Sequence, residues 1–515
     1  MFCPFGDVAC VPVFVTLVAA LLCASYLLSR TKFLKPGPRR LPCFRGPRGL
    51  PLLGNILQIH ENQWLQYASP IFSLNFAGQH VLVVGSARVA AELMDRRSSI
   101  YSDRPRFIMA AEILTGGMNL AFARWGDRWK RMRKAANTAL SAAAAARYTT
   151  LQEKEARCFL QVIYAYPPLP RPASSSQETD INEASTLIKN VEDYVSRMLK
   201  AALPGNYLVE FFPWMMYIPA WFPGAAWKRQ GRMWFRRDTN MFLDLVAETK
   251  AAIKDGTRGK CFVAELLNSS AQHDLDPVET AWLAGMMFGA GAEALAATFA
   301  FFVLAMVLFP HVQEKLRTEI DSVVGDPDDK ASLPRIPTFH DTQKMPYLHA
   351  VIKEVMRWRP MGPMGIPHRS VEDDVYEGHF IPAGTLIVPN VWTMHHDECV
   401  YPDAQTFKPE RFLAEDGVTP VAYRDTKELG HHTFGFGRRA CPGYHVANNV
   451  LAINGANLVW AFRISKAVDH HGREITPDPD ALLDEGPAVR PMPFDCVLKV
   501  RSTMVKKMLS EESGL

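Results

Sequence analysis

The first long apolar run lies at the N-terminus. Val8 to Leu28 carries no charged residue, and about 20 such residues cross a bilayer core. Asp7 precedes the run, and Arg30, Lys32, Lys35, Arg39 and Arg40 follow it. The positive-inside rule then leaves the start of the chain in the lumen and the remainder in the cytosol. A cleaved signal peptide is the rival reading, but the run is long and no basic segment precedes it. Residues 1–30 are therefore expected to be a transmembrane anchor. Residues 31–55, with Pro36, Gly37, Pro38, Pro42, Pro47, Pro51 and Gly54, read as a stiff basic linker, with globular structure expected from near Asn55. Ile71 to Val84 alternates like two strands around Ala77-Gly78-Gln79, a hairpin signal.

From Ala87 to about Gly325 the periodicity is mainly helical. The Ala-rich stretch Ala142 to Ala146 belongs to a helix, and Pro167 to Ser176 reads as a polar loop. Phe211 to Phe222 mixes aromatics with prolines (Trp214, Tyr217, Trp221), which suits a greasy, irregular surface. Asp276-Pro277-Val278-Glu279 is a helix start: Asp caps, Pro fits the first turn, and Glu completes a capping box. That helix can run to about Leu308, and between Ala281 and Phe309 its one charge is Glu293. At 1.5 Å per residue it spans about 48 Å. It is either a second membrane span or a core helix buried on all sides, and the motifs below favour the core. Beyond Val375 short strands and loops dominate, including Tyr376 to Pro389, and a last helix covers about Gly443 to Phe462. The fold class is mainly α with small β-sheets: one large domain over residues 56–505, then a polar tail over 506–515.

Composition narrows the function. The chain has 515 residues, 48% hydrophobic and 21% charged, enough for a large core. A net charge of +4 excludes a dedicated nucleic-acid binder, which concentrates basic charge. The nine cysteines are an odd number with no CxxC pair, so they form neither a disulfide framework nor a zinc site. A reducing compartment fits, and any special cysteine must be found by its neighbours.

One cysteine has such neighbours. Phe434-Gly435-Phe436-Gly437-Arg438-Arg439-Ala440-Cys441-Pro442-Gly443 has the form FxxGxRxCxG. Glycines at 435, 437 and 443 permit tight turns and close approach to a flat ring. Backbone N–H groups and the start of the next helix favour a negative sulfur. An inert cysteine in a Gly-rich loop is the bland alternative, which the whole pattern makes remote. The stretch resembles the haem-binding signature of the cytochrome P-450 superfamily. Further matches follow: Glu354 to Arg357 as ExxR, Pro409-Glu410-Arg411-Phe412, Trp129 and Arg133 as WxxxR, and Pro367-His368-Arg369. The resemblance covers roughly residues 30 to 505 and is closest to the microsomal class of fungal members. It implies the cytochrome P-450 fold, haem b as cofactor, and Cys441 as the axial ligand of its iron. Trp129, Arg133, His368, Arg439, Phe434, Gly437 and Gly443 are implied to bind the cofactor. Glu354, Arg357 and Arg411 are implied to form a buried network behind it.

The long apolar helix carries Gly289-Ala290-Gly291-Ala292-Glu293-Ala294. In the family an acid and a following Thr relay protons during oxygen activation. Ala290, Gly291 and Glu293 match that pattern, but Ala294 stands where Thr is usual. Thr298, one turn on, would be a poor substitute. A substrate hydroxyl or ordered water could take over the relay, coupling could be less efficient, or the reaction could differ from hydroxylation. Glu293 as a merely buried acid is the bland alternative.

The resemblance also implies partners. No flavin or nicotinamide fingerprint is present, so an NADPH-dependent flavoprotein reductase would supply electrons. Lys130, Arg131, Arg133 and Lys134 with Arg438 could form its basic docking face; a solvated helix face is the plainer reading. Over the haem, the resemblance points to Phe107 to Leu120, Phe211 to Phe222, Phe288 and Ala292, Met361 to Ile366 with Met364, and Gly486 to Val489 with Pro487 and Ala488. These residues suit a lipophilic substrate, first a terpenoid or other secondary metabolite and second a fatty-acyl or xenobiotic compound. Met361 and Met364 could instead be core fillers. The expected location is the endoplasmic reticulum membrane, single-pass, with the catalytic domain cytosolic. Three rivals stand: a haem-thiolate isomerase or dehydratase needing no external electrons, a non-enzymatic haem protein, and, distantly, a multi-span transporter.

Overall fold

A computed structural model describes residues 41–511, apart from 48, 51–53, 56–68, 166–182, 204, 258, 330–332, 422, 424, 428 and 485. The anchor over 1–30, most of the linker, the loop Pro167 to Ser176 and the end of the tail lie outside the described residues. Packing begins before Asn55: Phe44 is buried in an apolar cluster and stacks on His379 with centroids 4.3 Å apart.

The expected hairpin is present. Strand β1 (Ile71–Phe76) pairs antiparallel with β2 (Gln79–Val84). Ala77 and Gly78 both have positive φ, 48° and 94°, as a two-residue primed turn requires. Alternation places Phe72, Leu74, Val81 and Val83 in one cluster, and Leu82 and Val84 in another. Two later strands, β3 (His368–Arg369) and β4 (Leu386–Pro389), complete a four-stranded sheet in the order β1-β2-β4-β3. The β2–β4 pairing is parallel, with Val83 opposite Val388. Elsewhere β5 (Phe462–Val468) pairs with a strand over Cys496–Val500, and Leu482–Asp484 with Val489–Pro491.

Helices form the bulk of the molecule. They include α1 (Asp127–Ala139), α2 (Glu183–Ala202), α3 (Ala226–Lys254), α4 (Pro277–Leu308), α5 (Pro346–Trp358) and α6 (Tyr444–Ala461). The capping box of α4 forms as expected: the Glu279 N–H donates to Asp276 at 2.7 Å and the Asp276 N–H to Glu279 at 3.3 Å. Glu279 also pairs with Arg128 at 3.1 Å and Arg131 at 3.0 Å, which ties α1 to the start of α4.

Helix α4 is long and apolar enough to cross a membrane by composition, but both its ends are packed inside the protein. Trp282 stacks on Phe235 of α3 at 5.6 Å. Phe302 fills the space over Gly455 of α6, where a Cβ would come within 3.2 Å of its ring. Phe301, Leu304 and Val307 lie in the main core with Val351 and Val355 of α5. The core reading of this helix therefore holds.

Candidate haem-thiolate site

The cysteine loop runs from Phe434 to Gly443 and leads directly into α6. The Cys441 N–H donates to the Phe434 carbonyl at 2.7 Å, closing the loop. Gly437 has φ +54°, and a Cβ there would sit 2.0 Å from the Met94 carbonyl oxygen, so no side chain is tolerated. Two side chains grip the backbone. Asp95 accepts from the Gly437 N–H, and Arg133 donates to the Ala440 carbonyl. Burial pushes the Cys441 thiol up, while the Gly443 N–H and the Arg133 charge pull the other way.

Above the loop the structure gathers buried cations. Arg439 lies over the Trp129 ring at 4.0 Å. It donates to the Ser102 carbonyl at 2.7 Å and to the Leu120 carbonyl at 3.2 Å. The Trp129 indole N–H also goes to Leu120, at 3.0 Å, so Trp129 acts here as a shelf for Arg439. His368 Nδ1 is 2.7 Å from the Tyr101 carbonyl. Arg104 is buried and held by the carbonyls of Ala121, Ile366 and Pro367 at 2.9, 2.5 and 2.8 Å.

The buried Asp103 is occupied elsewhere, with Arg124 at 2.7 Å, the Trp125 N–H at 2.8 Å and Arg369 at 3.2 Å. Burial pulls the Arg439 guanidinium down to about 9, with Asp103 opposing and Arg133 adding to the fall. Burial also lowers Arg133, and lowers His368, where the charges of Arg104 and Arg439 add to it.

These residues fit haem. One Arg439 Nη and the Arg133 Nε are buried donors with no partner among the described residues. Three buried or half-buried guanidiniums crowd together while their nearest carboxylate is engaged outward. A cofactor carrying two carboxylates supplies the missing acceptors and the missing negative charge. An iron cation at Cys441 would likewise offset the burial cost of a thiolate.

Behind the loop the Glu354, Arg357 and Arg411 side chains form one buried network. Arg357 forks onto Glu354 at 2.6 and 2.8 Å, and Arg411 reaches the same carboxylate at 3.1 Å. The Lys408 N–H adds a fourth bond at 2.7 Å. Arg357 and Arg411 also hold carbonyls of residues 395 to 406, which fixes the segment that precedes the loop.

On the other side, α4 opens midway. Phe288 (55% exposed), Ala292 and Ala296 form a solvent-facing apolar stripe at i, i+4 and i+8, between two buried ends. Gly289 packs under Val195, whereas Gly291 has nothing near it. Glu293 and Ala294 are half-buried beside the stripe. Thr298 is buried, and its hydroxyl donates back to the Ala294 carbonyl at 2.8 Å, the i−4 bond that turns it away from the stripe. The exposed stripe breaks the burial of this apolar helix.

Met361 and the 487–488 segment come together: the Val489 N–H donates to the Met361 carbonyl at 2.7 Å, and Gly362 lies under the Pro487 carbonyl. Met364 packs on the sheet cluster with Leu386 and Val388, so the core-filler reading suits it better than a pocket role. Ile366 packs among the α1–α4 apolar residues, and Ala488 is buried.

The basic face is smaller than its sequence suggests. Arg131 is drawn to Glu279 and Arg133 points inward to the loop. Lys130, Lys134 and Arg438 remain exposed, with Lys130 and Arg438 lying over the Trp125 ring at 5.6 and 5.3 Å. Asp95 and His395 are gripping residues that no motif announced. They act from 342 and 37 positions away in the chain, on Gly437 and His432, and a periodic signal does not reach that far.

The cytochrome P450 family model matches residues 44–489. The chain is 43% identical over 483 residues to cytochrome P450 monooxygenase 58 of Postia placenta, covering 90% of each. It is 38% identical to a cytochrome P450 monooxygenase of Armillaria gallica, covering 97% of each. It is 36% identical to cytochrome P450 monooxygenase claR of Ampulloclitocybe clavipes, covering 90% of this chain and 87% of that one. With the cysteine loop, the cation cluster and the Glu354 network in one place, this chain belongs to the cytochrome P450 family and is an oxidoreductase of the monooxygenase kind.

Proposed function

We propose that the chain inserts one oxygen atom from O2 into a lipophilic substrate, a terpenoid or other secondary metabolite. Its electrons come from an NADPH-dependent flavoprotein reductase. Haem b is the cofactor; ligated by a thiolate, it supplies oxygen activation and favours O–O cleavage. The observation that carries this reading is the pairing of Cys441, in a loop shaped by Gly437 and Gly443, with the carboxylate-seeking donors of Arg133 and Arg439.

The protein's own part is holding and excluding. Cys441 carries the negative sulfur, steadied by the Gly443 N–H and the Arg133 charge. Arg133 and Arg439 hold carboxylates at the other edge, and His368, whose Nδ1 hydrogen is committed to the Tyr101 carbonyl, can join them only when a carboxylate close by favours its doubly protonated form. Phe288, Ala292 and Ala296 keep water from the reacting face and bind apolar surface. Glu293 moves protons toward that face at its carboxyl oxygens. With no hydroxyl at Ala294 and the Thr298 hydroxyl bonded to the helix, the next proton carrier is a substrate hydroxyl or water.

The membrane setting is part of the proposal: an anchor over residues 1–30 in the endoplasmic reticulum, with the catalytic domain cytosolic. Supporting it is an exposed apolar surface with Trp214, Tyr217 and Trp221 at 63%, 88% and 78% exposure. A second reading, a haem-thiolate isomerase or dehydratase, is favoured by Ala294 alone.

Reconstitution with an NADPH-dependent reductase, isotopic O2 and a panel of terpenoid, fatty-acyl and aromatic compounds tests the choice. Labelled oxygen in a product, dependent on NADPH, is expected. Product formed without NADPH or label would establish the isomerase reading instead.

A further inference from the structure

Helix α5 ends on carbonyls that have no partner within the helix. All of the last four are taken up. The Val355 carbonyl accepts from the Arg359 N–H at 3.1 Å, and the Trp358 carbonyl from the Arg359 guanidinium at 2.9 Å. The Met356 carbonyl accepts from the Thr433 hydroxyl at 2.9 Å, and the Arg357 carbonyl lies 3.1 Å from His395 Nδ1. The last two partners stand in or against the chain that becomes the cysteine loop.

His395 ends a short helix, Val391–His395, and is fully buried. Its Nε2 accepts from the His432 backbone N–H at 2.8 Å. A ring nitrogen that accepts carries no proton, so Nδ1 bears the hydrogen and donates to Arg357. Arg357 returns a bond to the His395 carbonyl at 2.8 Å. The His432 carbonyl then accepts from the Gly435 N–H at 2.9 Å, inside the loop itself. The His432 ring stacks on Phe436 at 5.3 Å. Both ring nitrogens of His395 are engaged, so the neighbouring His431 and His432 rings do not make a metal site with it.

We propose that His395 is a positioning residue for the Cys441 thiolate. It carries the rigidity of the Glu354, Arg357 and Arg411 network into the cysteine loop by fixing the His432 N–H. The assignment rests on the haem-thiolate reading above. Neutral, singly protonated imidazole is the group this task needs, because it donates on one edge and accepts on the other at a fixed distance.

The test uses the full-length protein in lipid nanodiscs, with His395→Phe and His395→Gln. Phenylalanine fills the space with neither bond. A glutamine amide can accept from His432 and donate to Arg357. Two readouts are taken: the rate at which the reduced carbonmonoxy complex loses its thiolate-type Soret band at fixed temperature, and the iron–sulfur stretch of the ferric protein. His395→Phe is expected to hold haem, lose the band roughly tenfold faster or more, and lower the stretch. His395→Gln is expected to recover most of both.

Wild-type values in His395→Phe overturn the assignment, as does equal impairment of the two variants. Should His395→Phe not accumulate as folded protein, His395→Met takes its place with the same outcomes. A wild-type protein lacking the thiolate-type band would instead sink the haem-thiolate reading, a result distinct from an indifferent His395.

Discussion

The Glu354 carboxylate accepts four donors in a space closed to solvent: two from Arg357, one from Arg411 and one from the Lys408 backbone. Glu354→Gln keeps the shape but turns one acceptor into an NH2 donor. In either amide orientation that donor faces other donors, and two guanidiniums lose the one negative partner they have among the described residues. Breaking a buried pair in this way costs about 3–5 kcal/mol. A control lies nearby: Lys315 and Glu410 pair at 2.9 Å, but their side chains are 54% and 41% exposed. Removing such a surface pair costs about 0–1 kcal/mol.

At about 1.4 kcal/mol per tenfold, Glu354→Gln should raise local opening of the 395–443 segment by about a hundredfold to a few thousandfold. Lys315→Met should raise it by about fivefold at most. Hydrogen exchange by mass spectrometry reads this opening without requiring reversible global unfolding. Similar exchange in the two variants would refute the claim that buried charge pairing holds this segment.

Four other outcomes are expected. Arg439→Ala should speed haem transfer to an apo-globin acceptor by roughly 10- to 100-fold, because it removes a buried charge-assisted donor; an unchanged rate puts the carboxylates elsewhere. Glu293→Gln should cut product formation by about a hundredfold with the carbonmonoxy spectrum intact, whereas a normal rate removes Glu293 from the proton path. Ala294→Thr should change product rate by less than about threefold; a large gain, with less hydrogen peroxide released per NADPH, shows that the missing hydroxyl limits coupling. Deleting residues 1–30 should make the protein extractable by carbonate yet still peripherally bound to vesicles, and Trp214→Ser with Tyr217→Ser and Trp221→Ser should release it. Persistent binding of that triple variant assigns membrane contact to another surface.

Local physics was legible in the sequence where a signal is short in range. The Asp276 capping box, the Ala77-Gly78 turn and the cysteine loop each depend on residues a few positions apart, and each forms. The Glu354 and Arg357 pairing was readable as two residues on one helix face, and Arg411 joins them as the family resemblance implied. What sequence spacing could not convey is direction. Arg131 and Arg133 sit two apart in one basic run, yet one turns to Glu279 and the other to Ala440. Met364 is apolar like Met361, but the sheet absorbs it. Asp95 and His395 belong to no motif; they matter because tertiary folding brings them against backbone groups far away in the chain.

The most direct test of the account is the carbonmonoxy difference spectrum of the reduced full-length protein, recorded beside Cys441→Ser. The account predicts the long-wavelength Soret band of thiolate-ligated haem in the wild type and its loss in the variant. The same shorter-wavelength band in both proteins would contradict it, as would a wild-type protein that binds no haem.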